Sequence, residues 1–206
     1  MSDRNKAVKE GIRARHREHR AAAEPGERDA AGAALAAHGA AWAEQLTGTT
    51  PSTFAAYLGV GSEPPTLPLI RELHRRGHTI LLPVCEAGRR LSWTAWTPAS
   101  VFARSRFAPV MEPAGPRLGL AVMASVAGLL IPATALDLSG NRIGQGGGYY
   151  DVLLGSLASE GLDIPLAAVV YDAEVLPAGS IPAESFDRKV AVALTPSGLV
   201  PLSGPS

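Results

Sequence analysis

Ser139-Gly140-Asn141-Arg142-Ile143-Gly144-Gln145-Gly146-Gly147-Gly148-Tyr149-Tyr150-Asp151 lies between a short apolar stretch, residues 128–131, and the apolar-rich run 152–158. A short apolar run, a glycine-rich break and a second, longer apolar run read as strand, loop and helix. Four glycines in the five positions 144–148 remove the Cβ atoms that would hold the backbone away from a ligand. They also permit positive φ where successive N–H groups converge. A helix starting near Tyr149 aims its unbonded N–H groups and the positive end of its macrodipole at the same space. Arg142 adds a full charge on one side and Asp151 a carboxylate on the other. Such a loop suits phosphate, with the arginine for the oxygens and the carboxylate for a magnesium ion carried by a nucleotide. By composition alone it also fits a plain glycine-rich surface turn. It is not a Walker loop, since no Gly-Lys pair occurs in the chain, and Tyr149 occupies the third glycine position of a dinucleotide fingerprint.

Outward from this loop, strand and helix patterns alternate. Toward the N-terminus, the good helix formers of residues 1–20 predict one helix, interrupted at Glu24-Pro25-Gly26, and the alanine-rich segment 27–46 predicts a second. Residues 53–58 read as a buried strand, 59–65 as a loop, and about 66–76 as an amphipathic helix stopped by Gly77. Strands are expected at 79–84, 90–96, 126–131, 166–171 and 190–195, with an irregular, proline-bearing stretch over 97–124. This is the pattern of an α/β domain with a largely parallel sheet and helices on both faces. The expected organisation is one domain over 1–206, with N-terminal helices in 1–46 and a loose Pro/Ser/Gly tail at 197–206. In open α/β sheets ligands collect outside the carboxyl ends of the strands, where the glycine loop and the loop carrying Leu58 and Glu63 both lie.

The 206 residues, 46% of them hydrophobic, suffice for one sizeable core. Nineteen basic and nineteen acidic side chains cancel, which argues against nucleic acid as the main partner. The single cysteine, Cys85, excludes an internal disulfide and sits in an apolar run as a small hydrophobe. No apolar run approaches the ~18 residues of a membrane span, and the charged N-terminus lacks a secretory h-region, so the expected location is the cytoplasm. Charge is nonetheless uneven: residues 1–20 carry Lys or Arg at 4, 6, 9, 13, 15, 17 and 20 against acids at 3, 10 and 18. Lys9, Arg13, His16 or Arg17, and Arg20 follow helical spacing, so they fit either a solvated face or a cationic edge over a bound polyphosphate. His74 and His78 read as surface histidines, and no Cys/His cluster suits zinc.

Taken together, these segments resemble the 5-formyltetrahydrofolate cyclo-ligase family, also called 5,10-methenyltetrahydrofolate synthetases. The resemblance runs over nearly the whole chain. It rests on Lys9-Glu-Gly-Ile-Arg13, on Tyr57-Leu-Gly-Val-Gly-Ser-Glu63-Pro-Pro-Thr66, on Glu112-Pro113, on Arg142 to Asp151 reached through an Asp-x-x-Gly turn at Asp137 to Gly140, and on Pro182-Ala-Glu184-Ser-Phe-Asp187. The chain departs from the family at Phe186, where a histidine is usual, at Val152 for Arg, at Leu136 for Phe, and at Gly147, where some members have lysine.

The resemblance implies a three-layer α/β/α sandwich around a mostly parallel mixed sheet, Rossmann-like and akin to the CoA transferases. It implies a ligase that uses ATP and Mg2+ to close 5-formyltetrahydrofolate, with or without a polyglutamate tail, and that works as a monomer without nucleic acid or membrane. By the same carry-over, Lys9, Arg142 and Tyr150 would be catalytic, and ATP would meet Lys9, Arg13, Arg142, Ile143, Gly144, Gln145, Gly146, Gly147, Gly148, Tyr149 and Tyr150. The folate would meet Leu58, Glu63, Gly147, Gly148 and Tyr149, and Asp151 and Asp187 would hold the metal. Tyr149 and Tyr150 equally fit core aromatics. Two other readings stand beside this one: a sugar-phosphate-handling enzyme on a similar scaffold, and a catalytically weak paralogue that binds nucleotide or folate.

Overall fold

The structure, a computed structural model, describes residues 3–183 and 188–203. Two helices open the chain, α1 (Asp3–Ala21) and α2 (Pro25–Thr47). Pro25 stands in the first turn of α2, where its missing N–H costs nothing, and Glu24 and Glu27 close a reciprocal capping box. Then follow β1 (Thr53–Ala55), α3 (Leu67–Arg75), β2 (Thr79–Cys85), β3 (Leu91–Trp96), β4 (Phe102–Arg104), β5 (Met111–Pro113), β6 (Val126–Pro132), β7 (Ala135–Asp137) and β8 (Arg142–Ile143). The chain ends with α4 (Tyr149–Ser159), β9 (Leu166–Val169), β10 (Val175–Leu176), β11 (Val192–Thr195) and β12 (Gly198–Pro201).

Seven strands form the main sheet in the order β12-β11-β9-β6-β1-β2-β3. The inner pairings, β11 with β9, β9 with β6, β6 with β1 and β1 with β2, are parallel; the edges β12 and β3 run antiparallel to their neighbours. Alternation along the strands builds two cores. Phe54, Ile80, Leu82, Leu130, Ala167, Val169 and Leu194 face α2 and α3, packing on Leu35, Trp42, Leu69, Ile70 and Leu73. Their neighbours Ala55, Leu81, Leu129, Ile131, Ala168 and Ala193 face the other way, onto Leu153, Leu154 and Leu157 of α4. The result is a mostly parallel α/β/α sandwich, as expected from the alternation of patterns.

The local differences have physical reasons. The expected strand 53–58 ends its pairing early: Ala56 N still donates to Leu81 O at 2.9 Å, but the carbonyl of Tyr57 accepts from Thr66 Oγ1, so 57 and 58 belong to the following loop. The irregular stretch 97–124 contains the hairpin of β4 and β5, whose three-residue strands are too short to display a period. The tail expected to be loose supplies β12, because Leu199 and Val200 pack against the two cores. Two smaller sheets, β10-β7-β8 and β4-β5, lie beside the main one.

Topology fixes where a ligand can sit. From β1 the chain crosses through α3 to β2 on one side, and later enters β6 on the other side of β1. The loops leaving β1 and β6 therefore diverge at a topological switch point and leave a crevice outside the strand ends.

Candidate active site

The loop after β1 is shaped by its own hydrogen bonds. Thr66 Oγ1 donates to Tyr57 O at 2.5 Å and accepts from Gly59 N at 3.0 Å. Gly59 is required there, since a Cβ would stand 2.2 Å from the carbonyl oxygen of Pro64. Glu63 N donates to Val60 O, and Val60 N returns a bond to Glu63 Oε2, both at 3.0 Å. The remaining oxygen, Glu63 Oε1, accepts from Gln145 Nε2 at 3.4 Å. This contact joins the first loop to the glycine loop.

The glycine loop starts from a buried anchor. Asp137 accepts from Ser139 N, Asn141 N, Asn141 Nδ2 and Ile181 N at 3.0–3.1 Å, which fixes the turn that delivers β8. Ile143 points into a small core with Ile12, Ala135 and Ile181. Beyond it, Gly146 (φ 96°) and Gly148 (φ 75°) adopt a positive-φ backbone that a Cβ at the same position would resist. Gly148 caps α4 with no side-chain bond, so the first-turn amides of the helix face the crevice unpaired by any cap.

Arginines surround these amides. Arg13 Nε donates to Gly144 O at 2.9 Å, docking α1 onto the loop. Arg142 is nearly buried; one of its Nη groups pairs with exposed Asp151, the other donates to Pro132 O at 3.4 Å, and its Nε has no partner among the described residues. Arg17 lines the crevice while bonding Glu10 at 2.8 Å. Arg89 also lines it, held at φ 59° beside Gly148. Tyr149 OH donates to Phe107 O at 3.0 Å, tying the loop between β4 and β5 across the opening. Burial pushes the Tyr150 hydroxyl far above its ordinary pKa, with the charge of Glu63 adding to it, so it remains a protonated phenol.

The cavity so enclosed has a volume of about 930 Å3. It gathers Arg13, Leu58, Glu63, Arg142, Gly144, Gln145, Gly146, Gly147, Gly148, Tyr149, Tyr150 and Asp151 from the sequence-derived set. Neither Ile143 nor Lys9 is among its lining residues. Lys9 is 8% exposed on the inward face of α1. Asp187, with Glu184 and Phe186, lies outside the described residues. The expected basic stripe divides: Arg13 and Arg17 reach the cavity, whereas Lys9, His16 and Arg20 are buried with Ile12, and Arg20 pairs with Glu174. Sequence reasoning missed Arg89, Tyr57 and the 107–111 wall. Only the Gly88-Arg89 turn left a local trace, because the other residues are joined by tertiary packing.

A polyphosphate fits this donor set: capless helix amides, open space at Gly146 where a Cβ would meet nothing within 4 Å, and several guanidinium groups. No group of three or more His, Cys, Asp or Glu suited to a metal occurs among the described residues. Mg2+ commonly takes one or two carboxylates plus phosphate oxygens, so exposed Asp151 beside the loop fits that mode. No helix among the described residues is long and apolar enough to cross a membrane.

Fold and site define an α/β protein whose switch-point crevice gathers arginines and the capless first turn of a helix. The sequence model of the 5-formyltetrahydrofolate cyclo-ligase family matches residues 5–196, and the chain belongs to that family of ligases. The 5-formyltetrahydrofolate cyclo-ligase of Mycolicibacterium smegmatis is 36% identical over 156 residues, 73% of this chain and 77% of the relative. That of Escherichia coli K12 is 30% identical over 145 residues, 60% and 79% of the two chains. The NMR structure of Aquifex aeolicus 5,10-methenyltetrahydrofolate synthetase shares the fold with a TM-score of 0.71, at 24% identity, over 95% of this chain and 93% of that one.

Proposed function

We propose that the chain catalyses the ATP- and magnesium-dependent closure of 5-formyltetrahydrofolate to 5,10-methenyltetrahydrofolate, releasing ADP and phosphate. The observation that carries this reading is the contact of Gln145 with Glu63, which sets an anion-receiving loop and a carboxylate-bearing loop over one cavity. The chemistry needs both. An N-formyl group is an amide, with a poorly electrophilic carbon and an oxygen that does not leave. Transfer of the γ-phosphoryl group to the formyl oxygen breaks the bond to ADP and gives an iminium phosphate. N10 then attacks the formyl carbon, the C–O bond breaks, phosphate departs with the former formyl oxygen, and the N10 proton is lost to solvent.

Phosphoryl transfer asks chiefly for positioning and charge stabilisation. In this reading Arg13, Arg142 and the 144–148 amides hold the phosphates, each charge-assisted contact contributing ~1.5–3 kcal/mol. By the family resemblance alone, since neither lines the cavity, Lys9 adds a cation from α1 and Ile143 contributes backbone, while Tyr149 and Tyr150 order the start of α4 against the ligands. Leu58 and Glu63 contact the folate, with Gly147, Gly148 and Tyr149 beside it. Asp151 and Asp187 would carry Mg2+, which when bound offsets charge on the phosphates. The catalytic set is Lys9, Arg142 and Tyr150. The whole chain acts as one domain, a cytoplasmic monomer, on folates with or without a polyglutamate tail.

The test is a spectrophotometric assay for the methenyl product with 5-formyltetrahydrofolate, ATP and Mg2+. Product is expected only when all three are present. Tight binding of nucleotide and folate without product would replace this reading with that of a binding paralogue.

A further inference from the structure

Tyr57 follows the end of β1 and is 4% exposed, packed in the core beneath α2 and α3 yet also lining the cavity. Its hydroxyl is enclosed and has no hydrogen-bond partner among the described residues. A buried phenol without a partner is disfavoured, and phenylalanine would fill the same space without that cost. The hydroxyl therefore has its hydrogen-bonding capacity left for a ligand in the cavity. Its backbone is held: Thr66 Oγ1 bonds the carbonyl of Tyr57 and the amide of Gly59, which fixes the direction from which the ring leaves the chain.

The surroundings indicate which ligand group it meets. Burial, reinforced by the negative charge of Glu63, raises the hydroxyl well above its ordinary pKa, so it is a proton donor throughout the physiological range. Glu63, on the same loop, presents a carboxylate, which accepts. A donor and an acceptor on one short loop match a ligand edge that offers a carbonyl oxygen next to an N–H, the lactam edge of a pterin ring. A phosphate offers no N–H and would meet repulsion from Glu63.

We infer that the Tyr57 hydroxyl orients the substrate by donating a hydrogen bond to a carbonyl oxygen of the reduced folate while Glu63 accepts from the adjacent N–H. The inference rests on the assignment of this cavity to 5-formyltetrahydrofolate.

Tyr57→Phe removes only the hydroxyl, and the two roles it could play separate cleanly. If it serves the substrate, Tm stays level or rises, because a buried unpaired group has been deleted. The Kd for 5-formyltetrahydrofolate, measured calorimetrically with a non-hydrolysable ATP analogue present, then rises about five- to tenfold, the worth of one neutral hydrogen bond. The KM for the folate follows, and the KM for ATP stays within twofold. An unchanged folate Kd in a stable variant overturns the role of Tyr57 and leaves the proposed reaction intact. A lowered Tm with equal losses for both ligands also overturns it, by showing the hydroxyl to be structural. Failure of the unaltered chain to bind 5-formyltetrahydrofolate at all overturns the proposed reaction, and this inference with it.

Discussion

His16 is 5% exposed on the inward face of α1, with Nε2 unpaired among the described residues. Burial lowers its pKa from the ordinary 6.5; Arg20, Arg15 and His19 act in the same direction, and Glu174 opposes them. The sign follows directly: below about 6.5 the unfolded chain takes up a proton that the folded chain refuses, so stability falls as pH drops toward the folded pKa and is untouched above it. Between thermal midpoints at pH 7.5 and 5.5, the unaltered chain is expected to lose more than His16→Gln; equal losses would show that His16 does not set the acid sensitivity. His78 is lowered too and contributes to both proteins, so the difference isolates His16. At this scale the sequence made the loop legible because glycine and arginine carry their chemistry in their identity. Tyr57 was not legible, since an orphaned hydroxyl exists only once distant segments have packed, and of Arg89 the sequence showed only the turn at Gly88, not its place beside Gly148.

Among the elements, α1 shows how a charged helix is fixed in place. Its last turn buries Arg20, whose Nη2 donates to Glu174 Oε2 at 2.8 Å and to Ala133 O at 2.9 Å, while Tyr171 N donates to Glu174 at 2.9 Å. Arg13, two turns earlier, bonds the glycine loop. Pinning the far end of α1 thus orients the end that meets the cavity. Breaking one half of a buried ion pair leaves the other charge uncompensated, and Glu174→Gln is expected to cost about 3–5 kcal/mol in urea unfolding. A loss below 1 kcal/mol, the range of a surface pair, would show α1 to be held otherwise. Helical spacing revealed that Lys9, Arg13, Arg17 and Arg20 share one side of α1. It could not reveal that Arg20 turns to a carboxylate 154 residues away while Arg13 turns to the loop. The hairpin of β4 and β5 stayed hidden for a related reason, as strands of three residues show no period and are held by the sheet they flank.

For the molecule as a whole, the order of strands decides where chemistry can happen. Parallel β1 and β6 lie side by side, and the chain leaves them in opposite directions, so the loops bearing Glu63 and Gly144 to Gly148 face each other with no further device. Short continuous apolar runs made this architecture readable, since each buried strand supplies one face to α2 and α3 and the other to α4. The shape of the cavity was not readable, because its outer wall comes from the proline-bearing stretch around Phe107 and Met111. In the proposed reaction this crevice brings the γ-phosphoryl group onto the formyl oxygen. Substrate labelled with 18O in the formyl group follows that transfer: the label is expected in the released inorganic phosphate, one atom for each methenyl product formed. Label recovered in water, with unlabelled phosphate, would contradict it.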